Sequence, residues 1–168
     1  MVAATVGKET GKKPVPSADQ APDDHALQAW RILGGRNIMK AAMRSSLEAH
    51  DAISKGFDPK ALFHLIENVG VLATEEALQG VLGISQRTLQ RKRKVERLSS
   101  DQSSRMWRFA EILAQATNAL GSQEEAERWM MEPAMGLDNR RPIDLLSTAA
   151  GAEAVEDHLT RMEYGVYI

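Results

Sequence analysis

Six of the 21 lysines and arginines in this 168-residue chain fall between Arg87 and Arg97, with Gln86 and Gln90 beside them. These residue types read and hold duplex nucleic acid: Gln can bond adenine bidentately, Arg can do so with guanine, and Lys and Arg neutralise phosphates. Other groups that could do chemistry fall short. His25, His50, His64 and His158 lie in separate segments with no His-Glu-x-x-His spacing, and without cysteine a zinc site would need scattered ligands. The glycines build neither Gly-x-Gly-x-x-Gly after a strand nor a phosphate loop ending in Gly-Lys-Ser or Gly-Lys-Thr. Glu75/Glu76 and Glu124/Glu125 sit in first helical turns, where the helix dipole accounts for carboxylates without acid–base pairing. The expectation is a protein that is not an enzyme and uses no metal and no cofactor.

A chain of 18.5 kDa fits one domain or two small ones and excludes a large multidomain enzyme. Hydrophobic residues at 43% and charged residues at 26% are enough to bury a core, so global disorder is not expected. The absence of cysteine removes a disulfide framework and fits a reducing compartment. No apolar run approaches the roughly 18 residues that span a bilayer, and Met1 to Gln20 lacks the apolar stretch of a signal peptide. A cytoplasmic protein with no membrane contact is expected.

The net charge of -2 speaks against nucleic acid only until it is divided along the chain. Residues 1–25 carry -1, 26–73 carry +2, 74–98 carry +3 and 99–168 carry -6. A short cationic element therefore sits in a neutral-to-acidic chain. That asymmetry fits two surfaces with different partners, and in charge alone it equally fits a solvated helix face.

The elements that must position these charges are helical throughout. Residues 1–24, with Pro14, Pro16 and Pro22 and no apolar periodicity, read as a disordered N-terminal arm. Two helices separated by Gly34-Gly35 follow, the first marked by Leu27, Trp30 and Leu33, the second by Ile38, Ala42, Met43 and Leu47. Asp58-Pro59 starts a helix with the stripe Leu62, Leu65, Ile66 and Val69. Thr74 caps a short helix with Leu78, Val81 and Leu82, and Gly83 ends it. Ser85 caps the next after only Ile84, and Leu89 faces inward. A longer helix from near Ser100 carries Met106, Phe109, Ala110, Leu113, Ala116 and Leu120. Ser122 and Glu125 form a capping box ahead of Ala126, Trp129 and Met130. Pro142 opens a short helix, and the last runs from Ala152 to Tyr164. No segment alternates with period two for long enough to be a strand.

Thr74 to Lys94 resembles a helix-turn-helix, with Gly83 at the tight turn, Leu78 and Leu82 rooting the first helix and Leu89 the second. Gln79 departs from the pattern, which usually has alanine there. The outward positions of the second helix are Ser85, Gln86, Arg87, Gln90, Arg91 and Lys94, while Lys92, Arg93 and Arg97 suit phosphates. Operator DNA is thus the expected partner, read by a homodimer on a two-fold site. The Leu27/Trp30/Leu33 and Met106/Phe109/Leu113 stripes are candidate dimer surfaces, although such stripes are more often core.

Three blocks downstream carry a further resemblance: Trp129-Met-Met-Glu-Pro133; Arg141-Pro142-Ile143-Asp144-Leu145-Leu146; and Gly151, Val155 and Leu159 leading to Arg161-Met-Glu-Tyr-Gly165. In this order they resemble the C-terminal domain of Xre/ParS-type antitoxins paired with RES-domain toxins, which also carry an Xre-like helix-turn-helix immediately upstream. The resemblance covers about residues 60–168. It implies a type II toxin–antitoxin module in which the C-terminal domain covers the active site of an NAD-consuming RES toxin and the chain binds its own promoter. By matching position it implies toxin contacts at Arg140, Arg141, Pro142, Asp144 and Leu145, and at Glu163, Tyr164, Gly165 and Tyr167. Val166, Tyr167 and Ile168 form an apolar tail suited to an interface, or to folding back on the chain's own core. The expected fold class is all-α. A helical DNA-binding region occupies 25–98, with the helix-turn-helix at 74–98, and a small helical toxin-binding domain occupies 99–168. A stand-alone regulator whose C-terminal domain dimerises or senses a ligand stays open as the alternative.

Overall fold

Seven helices of the described chain start on a side chain that folds back onto its own backbone. Ser45 caps α3 (Ser46–Lys55), Asp58 caps α4 (Pro59–Asn68), Thr74 caps α5 (Glu75–Leu82) and Ser85 caps α6 (Gln86–Lys92). Ser99 caps α7 (Ser100–Leu120), Ser122 caps α8 (Gln123–Met131) and Thr148 caps α10 (Ala149–Glu163). Each such bond satisfies one orphan amide and is worth about 1 kcal/mol. The other helices are α1 (Asp24–Ile32), α2 (Gly35–Met39) and α9 (Pro142–Leu145). Two 3-10 turns, Gly70–Ala73 and Met135–Leu137, complete the set. This computed structural model describes residues 24–165, so the expected arm lies outside it except for Asp24. No strand occurs among the described residues; Ala134 and Arg140 form an isolated bridge. The fold is all-α, as the periodicity indicates.

Local chemistry departs from the sequence reading in three places. The helix expected through Ile38 and Leu47 is broken: α2 stops at Met39, Lys40 takes φ 47°, and α3 starts afresh. The cause is a cluster of competing side-chain bonds. Ser45 Oγ accepts the Glu48 amide at 3.3 Å, and the Glu48 carboxylate accepts the Arg44 amide at 2.6 Å. Leu47 is consequently 78% exposed rather than in the stripe. The capping box at Ser122 is half formed, because Glu125 pairs with Arg128 instead of the Ser122 amide. A complete box stands at Ser99, whose amide donates to Gln102 Oε1 at 3.3 Å. Finally, α10 begins one turn earlier than expected, where Thr148 Oγ1 accepts the Gly151 amide at 3.0 Å.

The core is organised around α7, which packs against α1, α3, α5, α8 and α10. Met106, Phe109, Ala110, Leu113 and Ala116 are buried as the stripe implies, but so are Trp107, Ile112 and Ala114 on its other sides. A helix apolar on most of its circumference belongs at the centre of a bundle. Both candidate dimer stripes are used here, since α1 lies along α7 with Trp30, and Leu33 just after it, buried. A dimer must therefore use another surface.

The C-terminal helices join the body through polar contacts as well. Glu127 of α8 accepts the Val71 amide at 3.1 Å, and Gln123 donates to the Asn68 carbonyl at 3.0 Å. On the other side, α3 and α7 are linked by Gly56. A Cβ on Gly56 would lie 2.1 Å from the Leu98 carbonyl oxygen, at a φ of +79° that already strains any other residue. Gly80, by contrast, sits inside α5 with open space where a Cβ would go. Gly56→Ala is expected to destabilise the chain by about 2–4 kcal/mol. Gly80→Ala is expected to stabilise it by about 0.5–1 kcal/mol. Urea unfolding of the two variants checks both signs.

Candidate nucleic-acid interface and the C-terminal surface

The turn between α5 and α6 is made by Gly83, whose φ of 67° is left-handed and whose amide donates to the Gln79 carbonyl at 2.9 Å. Leu78, Leu82 and Ile84 are buried and root the turn in the core. Gln79, at the position where alanine is usual, faces solvent. Beyond the turn α6 stands out from the body: it contains no fully buried residue, and Leu89 is its half-buried anchor.

The sequence-predicted contact residues divide into three groups. Gln86, Arg87, Gln90 and Arg91 are exposed on α6, as an outer face requires. Ser85 is half-buried and occupied, its hydroxyl accepting the Thr88 amide at 3.2 Å and lying 3.0 Å from Thr88 Oγ1. Lys92 is half-buried at the last helical position. The remaining cations lie past the end of α6. Lys94 is exposed in the turn that follows. The Arg93 guanidinium stacks 4.7 Å from the centroid of the Phe63 ring on α4, and Arg97 Nη1 donates to the Gly56 carbonyl at 2.8 Å. The sequence reading missed Phe63 and Gly56, because nothing local marks a ring or a backbone carbonyl as the target of a cation about 30 to 40 positions away.

In the C-terminal part Arg141 grips Asp144 with two bonds, Nε to Oδ2 and Nη2 to Oδ1, both 2.8 Å. That carboxylate holds the guanidinium above the usual arginine value. Glu76 of α5 lies 3.7 Å from the same guanidinium, linking this block to the helix-turn-helix. Pro142 is buried at the first position of α9, Leu145 is half-buried and Arg140 is exposed, its carbonyl accepting the Ala134 amide at 3.0 Å. Glu163, Tyr164 and Gly165 end α10, with Tyr164 exposed, while Tyr167 lies outside the described residues. The two sets are not brought together. The Leu145 carbonyl abuts Gly151 in the first turn of α10, and Glu163 lies about 20 Å further along that helix.

Between the sets lies a cluster that the site assignment did not include. The rings of Trp129 and His158 stack with centroids 6.0 Å apart and planes 5° from parallel. Gly136 lies so close that a Cβ there would meet His158 at 2.3 Å, and neighbouring Met135 is 87% exposed. Burial first, and the charge of Arg161 second, lower the His158 pKa. Among the described residues no group of three or more His, Cys, Asp or Glu could hold a metal ion. No described helix is long and apolar enough to cross a membrane.

Residues 48–111 match the family model of the antitoxin Xre-like helix-turn-helix domain, and residues 115–165 match that of the antitoxin Xre/MbcA/ParS C-terminal toxin-binding domain. The chain is 34% identical over 126 residues to a protein named Antitoxin Xre from Pseudomonas putida, covering 73% of this chain and 76% of that one. A protein of the same name from Yersinia enterocolitica is 31% identical over 121 residues, covering 70% and 79%. One from Photorhabdus laumondii is 27% identical over 148 residues, covering 84% and 94%.

The depressed pKa of His158 sets a pH window. Above about pH 6.5 the ring is neutral both folded and unfolded. As pH falls below that value the unfolded chain takes up the proton first, so stability is lost until the folded ring protonates too. The melting temperature is expected to fall as the pH drops through about 6.5, and His158→Gln to flatten that fall. Thermal melts across the window test this.

Proposed function

The chain belongs to the Xre antitoxin family, and from that premise we propose that it neutralises a RES-domain, NAD-consuming toxin by covering its active site and represses its own promoter. In this reading it is not an enzyme, needs no cofactor and acts in the cytoplasm as a homodimer. Residues 25–98 serve DNA, 99–168 serve the toxin, and α7 carries the join.

The observation that carries the reading is the order of two modules with opposite surface charge. The +3 segment at 74–98 presents Gln86, Arg87, Gln90 and Arg91 on an outward helix, and the -6 segment at 99–168 holds the toxin-binding match. An α-helix fits the major groove, where Arg and Gln can pair bidentately with base edges. A two-fold dimer would place two copies of α6 about 34 Å apart on one face of the duplex. On the toxin side, the Arg141–Asp144 pair lies at α9, just ahead of α10, and the exposed Tyr164 follows the far end of α10. Such a span can bracket the mouth of an active-site cleft.

Arg87→Ala and Gln90→Ala are each expected to weaken binding to the promoter fragment about tenfold while toxin neutralisation persists. Gel shifts at fixed salt measure the first effect, and unchanged affinity removes these residues from readout. Deleting Val166 to Ile168 is expected to relieve toxin inhibition with DNA binding intact. Full growth rescue by the truncated chain in cells expressing the toxin counts against the tail.

A further inference from the structure

A seven-residue helix with no fully buried residue cannot fix its own direction, since isolated helices of that length are marginal in water. The start of α6 is held by buried Ile84 and the Ser85 cap. Its end is held by the next six residues, which are not helical. Arg93 lies over the Phe63 ring, and Arg97 donates to the Gly56 carbonyl. The Leu98 amide donates to the Phe57 carbonyl at 2.9 Å, and the Leu98 side chain is buried. Phe57 is itself fixed, its amide donating at 2.8 Å to the buried Ser103 hydroxyl.

We propose that Arg93 and Arg97, through Phe63 and Gly56, form a clasp that sets the angle of α6 on the duplex, so that they act as positioning residues rather than as phosphate contacts. The proposal rests on the DNA-binding reading above. Both guanidiniums have inward partners on α4 and at the end of α3, whereas the side chains of Arg87, Arg91, Lys92 and Lys94 make no ion pair, hydrogen bond or ring contact among the described residues. A clasp at the far end prevents the helix from pivoting about Ile84, and base readout tolerates only about 10–20° of misalignment.

Salt dependence separates the two roles, because each neutralised phosphate contributes about 0.9 to the slope of log affinity against log salt. The full-length chain and its own promoter fragment are used throughout. Lys92→Met is expected to lower the slope by about 0.9, as a phosphate contact should. Arg93→Met and Arg97→Met are expected to lose about two- to fivefold in affinity with the slope unchanged. Phe63→Leu keeps every charge and should lose as much as Arg93→Met, while Phe63→Tyr, which keeps the ring, should bind like the parent. A slope lowered by about 0.9 in Arg93→Met or Arg97→Met overturns the clasp. So does parental affinity in Phe63→Leu. Should Phe63→Leu not fold, the two arginine variants, altered only at exposed positions, decide the question. If the parent chain itself has no salt-dependent affinity for duplex, the DNA-binding reading fails instead.

Discussion

The hydroxyl of Ser103 is fully buried on α7, where it donates to the Ser99 carbonyl and accepts the Phe57 amide. A buried amide left without a partner costs about 1–3 kcal/mol, so this position is constrained to supply an acceptor. Through Phe57 the constraint spreads. The Phe57 carbonyl receives the Leu98 amide, and Gly56 lies against the Leu98 carbonyl so closely that no side chain fits between. The loop before α4 and the loop before α7 are thereby held as a pair, and α6 hangs from the second of them. The bonds that start at this one buried serine thus reach the segment that follows the most cationic element.

The helix that bears this serine also makes the body and the C-terminal part inseparable in packing. It packs against α1, α3 and α5 and also against α8 and α10, and the boundary between the two family matches falls within it. Glu127 and Gln123 add hydrogen bonds to the chain around Asn68 and Val71, and Arg141 reaches toward Glu76. Two surfaces of opposite charge are therefore mounted on one core. A 3.7 Å ion-pair contact between the half-buried Arg141 and the exposed Glu76 contributes little to stability, so the shared burial of α7 is the stronger join.

Legibility in the sequence followed the range of the interactions. Caps at Asp58, Thr74, Ser85 and Ser122 could be read because the side chain and the amide it bonds lie two or three residues apart, and the turn at Gly83 because the chain itself must go left-handed there. The all-helical class and the order of the two modules followed from periodicity and from the resemblance of the C-terminal blocks. The break between Lys40 and Ser45 was missed because apolar spacing ran through it while Glu48 was bonding the Arg44 amide. The far side of α7, with Trp107 and Ile112, was missed because a stripe reports one face and this helix is surrounded. Arg93 and Arg97 counted simply as charge in the sequence; Phe63 and Gly56, which occupy them, come from distant parts of the chain.

That α6 buries no residue has a consequence for how such a protein changes over time. Substitutions at exposed positions away from caps and anchors usually alter stability by no more than about 0.5 kcal/mol. Gln86, Arg87, Gln90 and Arg91 can therefore be exchanged with the fold intact, provided Ile84, Leu89 and the groups that hold the helix ends remain. Related chains could thus come to differ across this one outer face while keeping the same scaffold beneath it.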